Sequence, residues 1–252
     1  MATRNPIVLS LALLGLSELC AGGESRQKPI LAVPDEVVLK ADFTRPQYTL
    51  EKSKWQPRQG TQWKIAGGIL SGIPSSVEYQ AKKSHHRGLE PRLSMPITPP
   101  ECIAKFSIRF LDGEETSIAP FVEFGHHIVR IRFSETEGVS LLVDYESLKV
   151  AEAPDFRYEP GKWLRLIAEL KGDEFVVQIK GGPTLYAKHP IIAEPAPSGG
   201  TGLGVAGPRG GRVEIDNLTL WSVKEEVRDG WEEKRASFPE FTHVKVREKP
   251  KK

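Results

Sequence analysis

Short stretches in which apolar and polar residues alternate run through most of the chain. In residues 102–110 every second residue is apolar, and residues 128–133 alternate in the same way. Successive residues of a strand point to opposite faces, so this period of two indicates strands with one buried face. The pattern predicts the following core residues: Phe106, Ile108, Phe110, Val129, Ile131, Phe133, Trp163, Leu166 and Ile215.

The turns between these stretches favour a protein built almost entirely of β-strands. The chain has 23 Gly and 20 Pro among 252 residues, and no helical period is present between residues 36 and 222. Ten or more short strands separated by Gly and Pro are typical of a sandwich or a barrel. We therefore predict two packed antiparallel sheets over residues 36–222.

The segments on either side of this domain have a different character. Residues 23–35 are polar and irregular, and we interpret them as a linker. Residues 223–252 form a charged tail, in which Val223, Val227 and Trp231 recur every four residues. That spacing predicts a helix within residues 223–236.

The first 22 residues have the features of an export signal. Arg4 precedes an apolar run over residues 6–16, and the small residues Ala21 and Gly22 offer a cleavage point. The run is shorter than the roughly 20 residues that a membrane-spanning helix needs. We expect a periplasmic or extracellular protein without a membrane span, and lipid attachment at Cys20 is the alternative.

Composition narrows the classes of partner. There are 35 Lys and Arg against 33 Asp and Glu, a net charge of +2, so we expect no nucleic-acid partner. Removal of the signal would leave Cys102 as the one cysteine, which we interpret as a core residue. We predict no cofactor and no metal.

Three groups of motifs carry a resemblance to a known family. Asp42-Phe43, Trp55 and residues 63–72 (Trp-Lys-Ile-Ala-Gly-Gly-Ile-Leu-Ser-Gly) open the domain, and residues 160–166 contain Pro-Gly-Lys-Trp. Residues 202–221 close it with Gly-Leu-Gly-Val and Val-Glu-Ile-Asp-Asn-Leu-Thr-Leu-Trp. Together these resemble the 3-keto-disaccharide hydrolase-like domain family. The resemblance implies a concanavalin A-like or laminin-G-like jelly-roll sandwich that interacts with carbohydrate.

The function remains open among three classes at this point. The first is a sugar-binding module, the second is a glycoside hydrolase or lyase acting on 3-keto sugars, and the third is a scaffold domain. A retaining glucanase on this sandwich would need Glu-x-Asp-x-x-Glu on one strand. Here Glu214 and Asp216 are followed by Thr219, so the second glutamate is missing.

Histidines and one glutamate are the candidate catalytic residues. A base and a polarising group for a 3-keto sugar could come from Glu123 with His127 or His86. Neighbouring strand residues face opposite ways, so we expect one residue each from His85-His86 and His126-His127 at a site. The alternative is that these histidines belong to ordinary turns.

Polar faces of the central strands are the candidate binding surface. Arg109 alternates with core residues on one strand, Arg130 does so on another, and Glu123 lies between Val122 and Phe124. We predict that Arg109, Glu123, Arg130 and His127 border one groove, where they would bind sugar hydroxyls. A ladder of surface salt bridges is the alternative.

Overall fold

The alternating segments form the strands of two antiparallel sheets. The structure is a computed structural model that describes residues 27–45, 49–52, 54–95, 100–194 and 202–247. The predicted signal peptide and Cys20 lie outside these ranges. In chain order the elements are β1 (Ala32–Ala41), β2 (Gln56–Arg58), β3 (Thr61–Ala66), β4 (Ile69–Ser75), α1 (Val77–Ala81), β5 (Arg92–Met95), β6 (Cys102–Leu111), β7 (Phe121–Phe124), β8 (Val129–Ser134), β9 (Gly138–Val143), β10 (Leu148–Ala153), β11 (Leu164–Lys171), β12 (Glu174–Ile179), β13 (Thr184–Lys188), a 3₁₀ turn (Pro190–Ala193), β14 (Leu203–Ala206), β15 (Arg212–Val227), α2 (Trp231–Ala236) and β16 (Val244–Lys245).

Two sheets, which we call the back sheet and the front sheet, divide these strands. Within the described ranges, the back sheet has the order β13-β12-β11-β6-β15-β4-β3, and β1 also pairs with β15. The front sheet has the order β16-β10-β9-β8-β7-β14-β5-β2. Neighbouring strands in space are often distant in sequence, as in a jelly roll. The predicted all-β sandwich is confirmed.

The main core lies between the sheets and follows the period of two. On β6, Phe106, Ile108 and Phe110 point into it, while Arg109 points outward with a partly exposed side chain. All the predicted core residues are buried except Trp163. Trp163 lies just before β11, where the strand alternation has not begun, and its ring stacks against the guanidinium of Arg109 at 4.6 Å.

The tryptophan and glycine of the opening motif form a packing pair. Trp63 on β3 is directly opposite Gly72 on β4. A Cβ at Gly72 would lie 2.5 Å from the Trp63 ring, so the indole can cross the strand there only over a glycine. Trp55 is buried in the main core, whereas Trp63 and Trp221 are half-buried.

The ordered sandwich extends past the predicted limits of 36 and 222 at both ends. β1 begins at Ala32, within the predicted linker, and Ala32 is opposite Val227 on β15. Residues 223–227 therefore continue a strand, because β1 supplies their hydrogen-bond partners, and the predicted helix is confined to α2. Among the described residues, no helix is both long enough and apolar enough to cross a membrane.

A second apolar cluster covers the outer face of the back sheet. Leu31 and Trp231 pack there against Ile103, Ile167 and Val176. The buried carboxylate of Glu169 accepts backbone N–H bonds from residues 30, 31 and 32 at 2.7 to 2.9 Å. This carboxylate fixes the chain that leads into β1, and the outer face of the back sheet is covered in this region.

The mutation Phe106→Ala tests the assignment of the core. Phe106 is 4% exposed, and its truncation is expected to lower the free energy of unfolding by about 3 to 5 kcal/mol. Ser107→Ala, on the opposite face of β6, is the control and should change it by less than about 0.5 kcal/mol. Denaturant melts give both values. If Phe106→Ala lowers the free energy of unfolding by less than about 1 kcal/mol, Phe106 does not face the core and the two faces of β6 have been assigned the wrong way round.

Candidate functional site

Two rows of side chains cross the outer face of the front sheet. Strand register aligns the first row, which consists of Gln56, Ser94, Gly204, Glu123, Arg130 and Leu142. The second row consists of Arg58, Arg92, Ala206, Phe121, Arg132 and Ser140. Alternation produces both rows, because the residues between them belong to the main core. Gly204 has no side chain, so the floor between Ser94 and Glu123 is bare.

A groove with a cavity of about 570 Å³ lies over one half of these rows. Its volume falls in the range of about 300 to 1,000 Å³ that is typical of small-molecule sites. Strands β2, β5, β14 and β7 form its floor, and the turn before β8 lines it together with Tyr79 and His86. Its polar lining residues include Arg58, Arg92, Ser94, Glu123, His126 and Arg130.

Arg130 is the centre of a buried network beneath one end of the groove. Its side chain is 1% exposed, and Nε donates to Glu123 Oε2 at 2.7 Å. Nη1 lies 2.5 Å from Glu146 Oε1, as an ion pair off the hydrogen-bond axis. The guanidinium also stacks on the Phe121 ring at 3.8 Å. Two carboxylates and one aromatic face thus hold the arginine rigidly.

An unusual turn places Glu146 in this network. Asp144, Tyr145 and Glu146 all have left-handed backbone conformations, with φ between 55° and 58°. Residues other than glycine rarely adopt this region, so the turn is strained. Arg247 donates to the Tyr145 carbonyl and to the Glu146 carboxylate from outside. Glu146 is 2% exposed as a result.

His127 forms part of the wall above Glu146. Its Nδ1 lies 2.6 Å from Glu146 Oε1, and its ring stacks on Tyr145 at 4.9 Å. His126 also lines the groove, with its ring 3.9 Å from that of His127. The expectation that only one of this pair faces a site is therefore wrong. The pair belongs to a turn in which His127 is left-handed, so strand alternation does not apply.

Both buried carboxylates of the network are held in the ionised form. Burial raises the pKa of Glu123, but the charge of Arg130, the nearby His126 and the hydrogen bond from Arg130 outweigh burial and lower it to about 2. Burial acts on Glu146 in the same direction, and His127, Arg130 and Arg247 outweigh it, so its pKa is also lowered. Neither glutamate can serve as a proton donor near neutral pH.

This ionisation bears on glycoside hydrolysis. Oxygens of Glu123 and Glu146 lie within 4.8 Å of each other, close to the separation of about 5 Å found in retaining glycosidases. Those enzymes need one of the two carboxyl groups to be protonated. Arg130 keeps both glutamates ionised, so this pair lacks the protonated acid. The incomplete glucanase motif is elsewhere, because Glu214 and Asp216 lie on β15 of the back sheet.

Glu123, His127 and Glu146 also have the ligand types of a metal site. Their oxygens and imidazole nitrogen lie within 4.8 Å of one another. The Arg130 guanidinium already contacts both carboxylates, and a divalent cation beside it would be repelled. The chemistry of the cluster therefore favours an internal ion-pair network over a cation site.

The structure brings together three of the four predicted binding residues. Glu123, His127 and Arg130 line the groove. Arg109 lies on β6 in the back sheet, where it contacts Glu214 at 2.6 Å and the Trp163 ring. The prediction that Arg109 borders the same groove is wrong. Alternation showed that Arg109 points outward, but both sheets have an outer face.

Several groove residues were missed in the sequence. Arg92 and Ser94 alternate with the core residues Leu93 and Met95, so the same period of two would have placed them on an outer face. Glu146 gave no such signal, because it lies in a turn that contains no glycine. His86, the second candidate base, lies at the exposed rim, where its Nδ1 is 3.1 Å from Gln59 Nε2.

Besides Arg130 Nη1, which forms an ion pair with Glu146, three polar atoms of groove residues lack a hydrogen-bond partner within the described part of the chain. They are the buried Oγ of Ser94, Nε of Arg92 and Nδ1 of His126. Ser94 is 3% exposed. His126 Nδ1 is 3.6 Å from Glu123 Oε1, which is longer than a hydrogen bond. Buried polar groups are usually paired, so these atoms mark a place where a ligand would complete the bonding.

The fold is an all-β jelly-roll sandwich of two antiparallel sheets, and solved structures share it. No protein-family model matches the chain, and no curated protein matches it. The endo-β-galactosidase of Clostridium perfringens that releases GlcNAcα1-4Gal has a TM-score of 0.53 and 8% identity, covering 81% of this chain and 66% of that one. The carbohydrate binding module CBM66 from Bacillus subtilis has a TM-score of 0.46 and 11% identity, covering 67% and 96%. A non-specific endo-β-1,3(4)-glucanase of family GH16 has a TM-score of 0.48 and 9% identity, covering 77% and 97%.

Proposed function

We propose that the protein binds carbohydrate in the groove of the front sheet. One observation carries the proposal: an open cavity contains buried polar atoms without partners, namely Ser94 Oγ, Arg92 Nε and His126 Nδ1. Each unpaired buried group costs about 1 to 3 kcal/mol. Sugar hydroxyls both donate and accept hydrogen bonds, so a hydroxyl can serve each of these atoms as a partner.

Similarities to known proteins also support this proposal. The endo-β-galactosidase that shares the sandwich acts on a glycan, as its name states. The opening and closing motifs resemble those of a carbohydrate-active family. The apolar run over residues 6–16 supports the further proposal that binding occurs after export, at the cell surface or in the periplasm.

A bulky residue at Ser94 should block binding. Ser94 lies on the groove floor beside Gly204, so the ring of Ser94→Phe would fill the space that a sugar needs. We expect one or more glycans on an array to bind the wild-type protein, and Ser94→Phe to weaken that binding at least about tenfold. Calorimetry with the best glycan measures the change.

The matched control is Ser71→Phe, which makes the same change on β4 of the back sheet. It should leave glycan binding as in the wild type. The proposal fails if no glycan binds, or if Ser94→Phe and Ser71→Phe have the same effect on binding while both remain folded.

A hydrolase or lyase acting on 3-keto sugars is the second candidate, and the contact between His127 and Glu146 favours it. If Nδ1–H donates to Glu146, the neutral ring carries its lone pair on Nε2, the form of a general base. Incubation of the wild-type protein with a 3-keto-disaccharide would then release a monosaccharide or an unsaturated product. His127→Gln should abolish this release while preserving sugar binding. If the wild-type protein shows no turnover, the enzymatic function is contradicted and only the binding function is supported.

A further inference from the structure

The charges around the groove are unbalanced. Three arginines line it, Arg58, Arg92 and Arg130, against the single carboxylate of Glu123. Neutral sugars do not need such an excess of positive charge. The positions of these arginines therefore bear on the chemical class of the ligand.

Arg130 does not supply the excess charge. Glu123 and Glu146 both contact its guanidinium, and Glu146 also contacts Arg247. Two arginines and two glutamates thus balance within this network. The network is buried, so it supports the wall of the groove and leaves no free cation there.

Arg92 is poorly compensated by comparison. Its Nε is buried without a hydrogen-bond partner, and the nearest carboxylate, that of Glu90, is 3.8 Å from Nη2. Burial lowers the pKa of Arg92, and Arg130 adds to the lowering, whereas Glu90, Glu123 and Glu146 oppose it. A positive charge is thus held in a partly desolvated place with little to offset it.

Arg58 increases the imbalance. It is directly opposite Arg92 across the β2–β5 pair, and like charges in that position repel. The Arg58 side chain is exposed and forms no ion pair with any residue in the described ranges. Two guanidiniums thus face the same end of the groove, and the hydroxyl of Ser94, two residues along β5, lies beside them.

We propose that the groove selects acidic saccharides, whose carboxylate or sulfate group binds between Arg58 and Arg92 with a further hydrogen bond from Ser94. This inference rests on the proposed sugar-binding function. An anionic group would pair with the free Nε of Arg92 and remove the repulsion between the two arginines. Guanidinium groups suit such oxyanions because they donate two parallel N–H bonds. The rest of the sugar would then lie over Gly204, towards Glu123.

Matched glycans test the selection. The probes are uronic-acid oligosaccharides, the same chains with their carboxyl groups reduced to alcohols, and sulfated neutral oligosaccharides. We expect the acidic forms to bind at least about tenfold more tightly than the reduced chains, and to weaken as salt is raised. Preference for uronic acid or for sulfate identifies which of the two anionic groups is recognised.

Arginine variants locate the anion. Arg58→Gln should weaken binding of the acidic chain by about tenfold to a hundredfold, with little effect on the reduced chain, and Arg92→Gln should weaken binding of the acidic chain more than binding of the reduced chain. Arg109→Gln, on the outer face of the back sheet, should have no effect. Because Arg58 is exposed, its variant tests the proposal even if Arg92→Gln fails to fold.

Two results would overturn the inference, and they can be told apart. Equal binding of the acidic and reduced chains, unaffected by Arg58→Gln, would remove the acidic specificity and leave the sugar-binding function in place. No binding of any saccharide would remove both. Stability provides a further check, because Arg92→Gln relieves an uncompensated charge and should not lower the midpoint of unfolding, as loss of a structural arginine would.

Discussion

Replacing Arg130 with methionine is expected to lower the free energy of unfolding by about 3 to 5 kcal/mol, because it leaves the buried carboxylate of Glu123 without its cation and removes one of the two arginines that contact Glu146. Glu123 and Glu146 are both nearly inaccessible to water, and Arg130 is the cation that they share. Methionine retains much of the arginine's apolar length and its contact with Phe121, so lost packing contributes little. Denaturant unfolding at neutral pH measures the change.

The pH dependence distinguishes this account from a simple packing defect. The pKa of Glu123 is lowered to about 2 from an ordinary value of 4.5, so the stability it provides is present above 4.5 and is lost as pH falls towards 2. In Arg130→Met, acid would instead neutralise the unpaired Glu123 carboxylate. The difference in the free energy of unfolding between this variant and the wild type should therefore narrow as the pH falls. Arg109→Met breaks an ion pair that is more exposed, and it should lower the free energy of unfolding by less than about 1 kcal/mol. A constant gap between pH 7 and pH 3 would contradict the proposed role of Arg130.

Removing the Glu169 carboxylate is the second change with a large expected effect. In Glu169→Ala, three backbone N–H groups at residues 30 to 32 lose their acceptor. Leu31 and Ala32 are fully buried, so the expected loss is about 3 kcal/mol at the usual cost of unpaired buried donors. Hydrogen exchange should show these three amides opening earlier than the centre of β15.

Ser222→Ala is the control for Glu169→Ala. Ser222 Oγ accepts from Glu36 N further along β1, at an exposed position. Its loss should change stability by less than about 0.5 kcal/mol. If Glu169→Ala is as mild as Ser222→Ala, the carboxylate does not hold the segment that precedes β1.

The period of two predicted the fold well because burial on a single face is a local property of a strand. β6 and β8 show this: each residue between Phe106 and Phe110, or between Val129 and Phe133, faces the side that alternation assigned to it. Alternation cannot tell which sheet a strand joins, since that depends on pairing with residues far along the chain. Arg109 and Arg130 were grouped for this reason, although they lie on opposite outer faces.

The site was predictable only where strands form it. Glu123 and Arg130 are direct neighbours in the β7–β8 pair, so alternation with a short connection placed them together. Glu146 and His127 lie in turns with left-handed residues, whose side chains follow no period. Arg247 reaches the site from more than 100 residues away in the sequence, and no local pattern could reveal that contact.

β16 has a consequence for solubility. Its two residues pair with Leu148 and Lys149 on β10, and Val246 N donates to the Ser147 carbonyl just beyond them. Without this cover, the edge of β10 would present unpaired backbone groups to which another chain could add a strand. The covering strand is too short to offer a long edge itself, and Lys245 on it is a charged edge residue of the kind that disfavours addition of a further strand. The segment that brings Arg247 to Glu146 therefore also protects the front sheet against aggregation.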